Sequence, residues 1–574
     1  MRDTPQTPAP SAAPIESTAA RTSLVHPMSW ALLGALAVAY LTLSITSLLG
    51  KSVTVDEFGH LPAGFNTLRS GDFRHCTLNP PLMNVLSALP VAAMGPRPTP
   101  EPPPFRLAPS FDFWESGYRF MFAYPEDYRR LFTAARCVTV VLVGALGVLL
   151  FFWARSLAPR RADLAGLLAA GLLWFSPNVL AHARLVTTDA GAMCFVTLAV
   201  FAFHRLLLRP NGPRAIGCGV TLGLAQLVKF TAVYLGPLFV VVAVVWCFGG
   251  PKMRGTALAK WLAAALAVGL GTVNAGYLFA GSGAALGAYT FESDTLQAVQ
   301  AVLPRQTPVP LPHEYVAAFD RQLRDTTVGD SSYLLGESYE GGRWYYFLVL
   351  IAFKTPIPLL ALVALALTTG LTGRGLHRRE SVLLLLPGLV FLVMFSLFSD
   401  KQLGLRMILP AAPLLFVWIA TTIARADWKR WTVWPLAGLL LWFAGESLRS
   451  YPDYLAYFNQ FVGGPARGHR IALDSNLDWG QDLPKLKDYM DAEGIDSIQL
   501  LYFGRVDPAI YGIRYQADPR RFGPGYRAVS ATLFGRWYRL YDHGVVREVD
   551  AVDPRTLGEP VARLGHSIHV YWVE

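Results

Sequence analysis

Residues 29–49 read SWALLGALAVAYLTLSITSLL and contain no charged side chain. About 20 consecutive apolar residues form a helix long enough to cross the ~30 Å of hydrocarbon in a bilayer. The stretch is also longer than the apolar core of a secretory signal peptide. The sequence therefore predicts a retained transmembrane helix at this position.

Ten further apolar stretches lie at roughly residues 132–154, 162–180, 189–208, 214–228, 230–249, 260–280, 344–369, 381–399, 406–424 and 431–449. Of all residues, 53% are hydrophobic and only 16% are charged, against about 25% charged in soluble proteins. This composition excludes an ordinary soluble enzyme. The stretches predict a mainly α, polytopic transmembrane bundle of about eleven spans, with Lys229 dividing the fifth from the sixth.

Basic residues cluster at every second connection between these stretches, at 155–161, 205–214, 252–260, 374–379 and 425–430. Lys and Arg in short loops stay on the cytoplasmic side of a membrane. The pattern therefore places the N-terminus inside, and segments 50–131 and 281–343 outside. The net charge of +10 reflects this topology, so we expect the lipid bilayer, and no nucleic acid, as a partner.

The same boundaries divide the chain into three parts. Residues 1–28 are predicted to be a disordered cytoplasmic tail, because they offer little apolar surface to bury. Residues 29–449 form the transmembrane catalytic domain. Residues 450–574 are predicted to form a small extracytoplasmic α/β domain, with a helix at 483–492 and strands at 497–503, 528–534 and 568–573.

Two local patterns refine this organisation. The apolar stretch 82–94 is too short to span a bilayer, so we interpret it as an amphipathic or re-entrant helix. Gly217, Gly219 and Gly223 are spaced for close packing of one helix against another.

Ionisable side chains collect at the predicted extracytoplasmic ends of the spans. The carboxylates are Asp56, Glu57 and Asp189, and the cations are Arg184, Lys229, Lys354, Lys401 and Arg406. A charge at the centre of a span costs ~2.5–3.5 kcal/mol and is usually retained for function. The alternatives are helix capping for the carboxylates and interfacial anchoring for the lysines.

A carboxylate beside several cations suits glycosyl transfer from a lipid phosphate. The leaving phosphate is a weak base and needs no proton, unlike the leaving group in glycoside hydrolysis. One carboxylate that deprotonates or orients the acceptor, together with cations that stabilise the phosphate, would suffice. We therefore predict transfer of a sugar from a polyprenyl-phosphate donor to an acceptor hydroxyl or phosphate.

Several motifs carry a family resemblance. Segment 50–131 contains Asp56-Glu57-Phe58-Gly59-His60, Gly71-Asp72-Phe73 and Leu78-Asn79-Pro80-Pro81-Leu82. These resemble the first extracytoplasmic loop of the GT-C type glycosyltransferases of family 39, which include protein mannosyltransferases and bacterial aminoarabinose transferases. Later motifs that look similar are Ala181-His182-Ala183-Arg184, Thr187-Thr188-Asp189, Lys229-Phe230-Thr231, Phe353-Lys354-Thr355-Pro356, Lys401-Gln402-Leu403-Gly404-Leu405-Arg406 and the segment 473–483.

The resemblance implies a GT-C fold with Asp56 as the catalytic carboxylate and Glu57 or Asp189 in support. It implies a lipid-phosphate site drawn from Arg184, Lys229, Lys354, Lys401 and Arg406, with His60, Asn79 and His182 as candidate substrate contacts. Many members carry His where Asn79 stands, and Asn cannot titrate. The acceptor is a glycan, lipid or protein, and the implied location is a bacterial inner membrane with the site facing the periplasm.

Two other classes remain as alternatives, a metal hydrolase and a transporter. Asp56 and His60 are spaced to share a helix face, with His75 and His182 as further metal ligands, but the chain lacks HExxH. We assign no metal ligand and no required cofactor, and a divalent metal stays an alternative. A transporter or flippase of lipid-linked sugars would predict inverted repeats and polar residues at mid-bilayer, whereas the carboxylates here lie at the outer edge.

Overall fold

The computed structural model describes residues 24–99, 112–248, 254–329, 331–535, 538–542, 545–549 and 552–574. Of the predicted tail at residues 1–28, residues 1–23 lie outside the described part of the chain. The helices are α1 Pro27–Leu49, α2 Glu57–Ser70, α3 Leu82–Met94, α4 Phe113–Ala123, α5 Tyr128–Leu157, α6 Ala162–Trp174, α7 Pro177–Ala183, α8 Thr188–Leu208, α9 Gly212–Val228, α10 Leu235–Cys247, α11 Arg254–Gly276, α12 Asp294–Val302, α13 His313–Val328, α14 Tyr346–Lys354, α15 Ile357–Leu371, α16 Arg378–Leu397, α17 Ala412–Arg425, α18 Val433–Arg449 and α19 Leu483–Ala492.

The chain is an integral, multi-pass membrane protein. In its described part, seven helical stretches are long and apolar enough to cross a membrane. Two bent pairs, α6 with α7 at 62° and α14 with α15 at 109°, raise the number to nine. The other two of the eleven predicted stretches are helices of 17 residues each, α9 and α18.

The break at Lys229 confirms the predicted division between the fifth and sixth stretches. Helix α9 ends at Val228, and Lys229 has extended backbone angles, φ −152° and ψ 133°. A short 3₁₀ turn, Phe230–Tyr234, then leads into α10. The break leaves the Lys229 side chain at the end of a helix.

Small residues bring α9 and α11 into close contact. A Cβ on Gly219 would lie 2.4 Å from the backbone oxygen of Ala265, and one on Gly223 would lie 2.5 Å from Thr272 Cβ. The predicted packing role is confirmed for these two glycines. It is wrong for Gly217, where an added Cβ meets open space.

Segment 50–131 carries three helices that pack tightly together. Helix α3 has the bounds predicted for a short apolar helix. A Cβ on Gly64 of α2 would lie 2.0 Å from the backbone oxygen of Asn84 in α3, and one on Gly117 of α4 would lie 2.3 Å from the Phe58 ring. This packing fixes the start of α2, and with it Asp56.

The strands fall in two parts of the chain. They are β1 Ser332–Leu334, β2 Glu337–Tyr339, β3 Ile498–Leu501, β4 Tyr515–Gln516, β5 Gly525–Ser530, β6 Tyr538–Asp542, β7 Val545–Val549, β8 Ala562–Leu564 and β9 Ile568–Val573. Within segment 281–343, β1 and β2 form a hairpin after α12 and α13.

The C-terminal part contains a mixed sheet of order β4-β3-β5-β9-β8 and a separate β6–β7 hairpin. Strand β3 is parallel to β4 and β5, whereas β9 is antiparallel to β5 and β8. Helix α19 has the predicted bounds. The strand predicted at 528–534 instead occupies Gly525–Ser530, because residues 531–534 turn into a 3₁₀ helix.

Backbone hydrogen bonds join this C-terminal part to the start of segment 50–131. The Ser52 N–H donates to Gln481 O at 2.9 Å, and the Val55 N–H donates to Trp479 O at 3.1 Å. The two segments therefore run side by side directly before Asp56.

Candidate active site

Four of the predicted site residues meet in one ion cluster. Arg406 Nη1 lies 2.7 Å from Asp56 Oδ2 and 3.3 Å from Asp189 Oδ2. Lys229 Nζ lies 2.5 Å from Asp189 Oδ1. The cluster alternates carboxylate and cation, so two negative charges balance two positive ones.

Each member of the ion cluster lies at a helix end or break. Asp56 directly precedes α2, and Asp189 is in the first turn of α8. Lys229 lies in the break after α9. Arg406 lies two residues after Gly404, whose φ is +98° and where an added Cβ would lie 2.5 Å from Ser475 Oγ, so a side chain has no room there. Ends of separate helices thereby converge at one face of the bundle.

The carboxylates do not serve as helix caps. The Asp56 side chain makes no capping hydrogen bond at the start of α2, and Asp189 is directed to Lys229 and Arg406. Their accessibility differs sharply: the Asp56 side chain is 24% exposed and that of Asp189 is 1% exposed. Asp56 is therefore the carboxylate that a substrate can reach.

Arg406 is held from several sides. Its Nε donates to Leu403 O at 3.0 Å and to Ser475 Oγ at 3.2 Å. Its Cζ lies 4.4 Å from the centre of the Trp479 ring, a cation–π arrangement. The C-terminal part of the chain thus contributes directly to the ion cluster.

Glu57 lies next to Asp56 in sequence but faces away from the ion cluster. Its carboxylate accepts from Arg136 Nε at 2.8 Å and Nη2 at 2.6 Å, from the backbone and hydroxyl of Thr54, and from the Val186 N–H at 2.9 Å. Burial raises the pKa of Glu57, but the Arg136 guanidinium and these hydrogen bonds outweigh burial and leave it below its usual value. Glu57 therefore ties segment 50–131 to α5 and to the loop that leads to Asp189.

The other predicted cations do not join the ion cluster. Lys354 Nζ donates to the backbone oxygens of Leu455, Tyr457 and Asn476, at 3.1, 3.0 and 2.5 Å. Lys401 Nζ lies 3.9 Å from Asp325. Lys354 is buried, and all three of its N–H donors are used by backbone oxygens.

Arg184 is buried without an opposing carboxylate. Its Nη1 donates to Ser47 O at 2.6 Å, and its Cζ lies 5.3 Å from the centre of the Tyr454 ring. In the described part of the chain, no Asp or Glu oxygen lies within ion-pair distance of it. Burial lowers the pKa of Arg184 to about 10.

The three predicted substrate contacts, His60, Asn79 and His182, lie in different surroundings. His60 Nδ1 lies 3.0 Å from Asn84 Oδ1, and burial lowers the pKa of His60, so the ring is neutral near pH ~7. The His182 ring lies edge-on to Trp479, 6.2 Å between centroids. Asn79 is half-buried, and its side chain makes no hydrogen bond within the described residues.

Sequence reasoning missed Asn84, Arg136, Ser475 and Trp479. Arg136 had a readable signal, because an arginine inside an otherwise apolar span usually marks a partnered charge. The 473–483 motif was also visible, but nothing in it showed which residue would meet Arg406. As for the metal alternative, no group of three His, Cys, Asp or Glu residues in the described ranges is placed to hold an ion.

Asp478, next to Trp479, provides a pH-dependent test of this region. It is fully buried, and it accepts from the N–H groups of Gly480 and Thr532, both at 3.1 Å. Burial raises the pKa of Asp478 to about 7. The folded protein therefore keeps a proton that the unfolded chain releases above pH ~4, so this contribution to stability falls as the pH rises toward ~7.

We expect Asp478→Asn to remove that pH dependence. The free energy of unfolding of the wild type relative to the variant should fall between pH ~4 and ~7, by about 1.4 kcal/mol per unit of pKa difference, and the midpoint of thermal unfolding should fall with it. A wild-type-minus-variant difference that stays constant over this range would contradict the assignment. Differential scanning fluorimetry of the detergent-solubilised protein measures it.

The comparison with protein families indicates the class of this protein, a membrane glycosyltransferase. Residues 130–274 match the family model described as dolichyl-phosphate-mannose-protein mannosyltransferase. The match confirms the predicted resemblance to the GT-C type glycosyltransferases. No curated protein sequence matches the chain.

Solved structures that resemble the chain are distant in sequence. ArnT from Cupriavidus metallidurans bound to undecaprenyl phosphate is 14% identical, with 95% of this chain and 98% of that chain covered and a TM-score of 0.47. The archaeal oligosaccharyltransferase AglB from Archaeoglobus fulgidus is 11% identical, with 94% and 75% covered and a TM-score of 0.46. The Pmt1–Pmt2 complex of S. cerevisiae is 21% identical over 45% of this chain and 34% of that chain, with a TM-score of 0.32.

Proposed function

We propose that the protein transfers a sugar from a polyprenyl-phosphate donor to an acceptor, with Asp56 as the base or acceptor-orienting group. The observation that carries this proposal is the ion cluster of Asp56, Arg406, Asp189 and Lys229. It combines one reachable carboxylate with two cations at one face of a membrane-embedded bundle. We place this face outside the cytoplasm of a bacterial inner membrane, opposite the basic clusters of the loops.

The transfer needs little from the protein beyond charge and position. The acceptor oxygen attacks the anomeric carbon, the bond from that carbon to the phosphate oxygen breaks, and the phosphate leaves with the electron pair. The acceptor proton passes to Asp56. Arg406 and Lys229 stabilise the charge on the departing phosphate, as preorganised cations do in a site that excludes water.

Donor binding and base activation are linked in this arrangement. In the resting ion cluster, Asp56 is engaged by Arg406 Nη1 at 2.7 Å. A phosphate that binds Arg406 competes with Asp56 for that guanidinium. The donor thereby frees Asp56 to meet the acceptor, while buried Asp189 continues to orient Lys229 and Arg406.

The remaining predicted site residues take supporting roles in this proposal. Glu57 and Lys354 position the segments around the ion cluster, since their polar atoms are occupied by protein groups. Arg184 and Lys401 have fewer such partners and stay candidates for the lipid phosphate. A glycan, lipid or protein acceptor is equally compatible with a reachable carboxylate.

The test is a transfer assay with purified protein, a polyprenyl-phosphate-linked sugar and a panel of acceptors. We expect one polyprenyl phosphate released for each sugar transferred. Movement of the intact lipid-linked sugar across vesicle membranes, without release of polyprenyl phosphate, would contradict the proposal and favour the flippase alternative.

The two lysines predicted for the phosphate site should behave differently. We expect Lys229→Gln to weaken binding of polyprenyl phosphate by about 10- to 100-fold, because a charge-assisted hydrogen bond is lost. Lys354→Met should instead lower the free energy of unfolding by ~1–3 kcal/mol, because three buried carbonyls lose their donor. Binding and thermal unfolding measured on both variants separate the roles.

Lys487→Gln is the matched control, since Lys487 is partly exposed and pairs with exposed Asp491 one turn further along α19. It should leave both quantities unchanged. Donor affinity that falls equally for Lys354→Met and Lys229→Gln, at unchanged stability, would return Lys354 to the phosphate site.

A further inference from the structure

Trp479 contacts three parts of the site at once. Its backbone oxygen accepts from the Val55 N–H at 3.1 Å, directly before Asp56. Its ring lies 4.4 Å from Arg406 Cζ, and it meets the His182 ring at 6.2 Å and 70°. Only 1% of the residue is exposed, so it does not meet substrate itself.

The loop around Trp479 is rigidly built. The Trp479 N–H donates to Gln481 Oε1 at 2.7 Å, and Gln481 Nε2 donates to Leu477 O at 3.0 Å. The Gly480 oxygen accepts from Ser52 Oγ at 2.7 Å and from the Tyr502 hydroxyl at 2.6 Å. The ring is therefore presented to Arg406 by a loop with little freedom to move.

Arg406 needs such a support. Coulomb attraction alone would let the Arg406 guanidinium move fully toward Asp56 or fully toward Asp189, because both carboxylates contact the same Nη1. An aromatic face over the guanidinium selects one plane for it and excludes water from that side. In that plane, Nη1 stays between the two carboxylates.

We infer that Trp479 is a positioning residue for the transfer reaction: its ring holds the Arg406 guanidinium in the plane in which Nη1 lies between Asp56 and Asp189. The C-terminal part of the chain is then an integral part of the site. This inference rests on the proposed function, since it acts through Asp56 and Arg406.

The test compares two replacements of Trp479 in two backgrounds. Trp479→Phe keeps an aromatic face, whereas Trp479→Leu keeps only apolar volume. We expect Trp479→Leu to lower kcat/KM per folded protein by about 10-fold or more, and Trp479→Phe to stay within about 3-fold of the wild type. In an Arg406→Gln background, Trp479→Leu should cause little further loss, because coupled residues are not additive.

One control variant, a second test variant and a second measurement support the result. Trp572→Leu, at a half-exposed tryptophan of the C-terminal sheet, should leave kcat/KM unchanged. Ser475→Ala removes the hydroxyl that accepts from Arg406 Nε, so it tests the same idea if Trp479→Leu fails to fold. The coupling between Trp479→Leu and Arg406→Gln is also read from thermal unfolding, which needs no activity.

The outcomes separate the two proposals. A wild-type protein that transfers no sugar from lipid-phosphate donors defeats the proposed function, and the coupling in thermal unfolding then decides the inference alone. If the wild type is active, full activity in Trp479→Leu overturns the positioning role. So does an equal loss from Trp479→Leu in both backgrounds, which is the signature of a general packing defect.

Discussion

Asp56→Asn should lower the rate of sugar transfer by about 100- to 10,000-fold, the range expected for loss of a general base. The change keeps the volume of the side chain and a hydrogen-bond acceptor for Arg406, so the fold should survive. It removes the proton acceptor and the charge that balances Arg406 in the resting ion cluster. Single-turnover transfer from a saturating lipid-linked donor measures the effect.

A carboxylate of the same segment supplies the control. Asp72 pairs with exposed Arg74 at 2.6 Å and has no contact with the ion cluster, so Asp72→Asn should transfer sugar at the wild-type rate. Asp189→Asn is informative beside it, because it should weaken donor binding through Lys229 and Arg406. Wild-type transfer by both Asp56→Asn and Asp56→Ala would remove Asp56 from the reaction.

Loss of the Glu57–Arg136 pair should have the largest effect on stability. Removing one partner of a buried ion pair leaves an uncompensated charge and costs ~3–5 kcal/mol. Glu57→Ala also leaves the donors of Thr54 and Val186 unpaired. We therefore expect little folded Glu57→Ala protein, and a strongly lowered midpoint of thermal unfolding for Arg136→Met.

Glu115→Gln is the matched surface change. Glu115 pairs with Arg119 one helical turn away at 2.6 Å, and both side chains are partly exposed. A pair of this kind is worth ~0.3–0.5 kcal/mol, so thermal unfolding should hardly move. If Glu57→Gln folds with wild-type stability but transfers no sugar, Glu57 belongs to the chemistry and our positioning role for it is wrong.

The membrane architecture was readable from the sequence because it depends on local composition. A run of apolar residues predicts a helix of bilayer length whatever surrounds it, and the eleven predicted stretches all correspond to helices or bent pairs. The break at Lys229 and the short helix 82–94 followed from the same reasoning. In the C-terminal part, hydrophobic periodicity and turn residues predicted α19 correctly. They placed one strand at 528–534, whereas it occupies Gly525–Ser530.

The candidate site was readable only as a set of residues. Sorting charges by membrane face selected Asp56, Asp189, Lys229 and Arg406, and the structure brings these four together. The same sorting selected Glu57 and Lys354, whose polar atoms are taken up by Arg136 and by backbone carbonyls. Position along a span tells which side of the membrane a charge occupies, but not its partner.

What the sequence by itself determined is therefore the bundle, its short helices and the face on which the chemistry-bearing charges collect, because hydrophobic length and loop charge act locally. Only the tertiary structure decided which of those charges meet. Adjacent Asp56 and Glu57 point to different partners, one to Arg406 and one to Arg136, since residues 350 and 79 positions away come to lie beside them. Trp479 entered the site for the same reason, as its place over Arg406 depends on a loop packed from the far end of the chain.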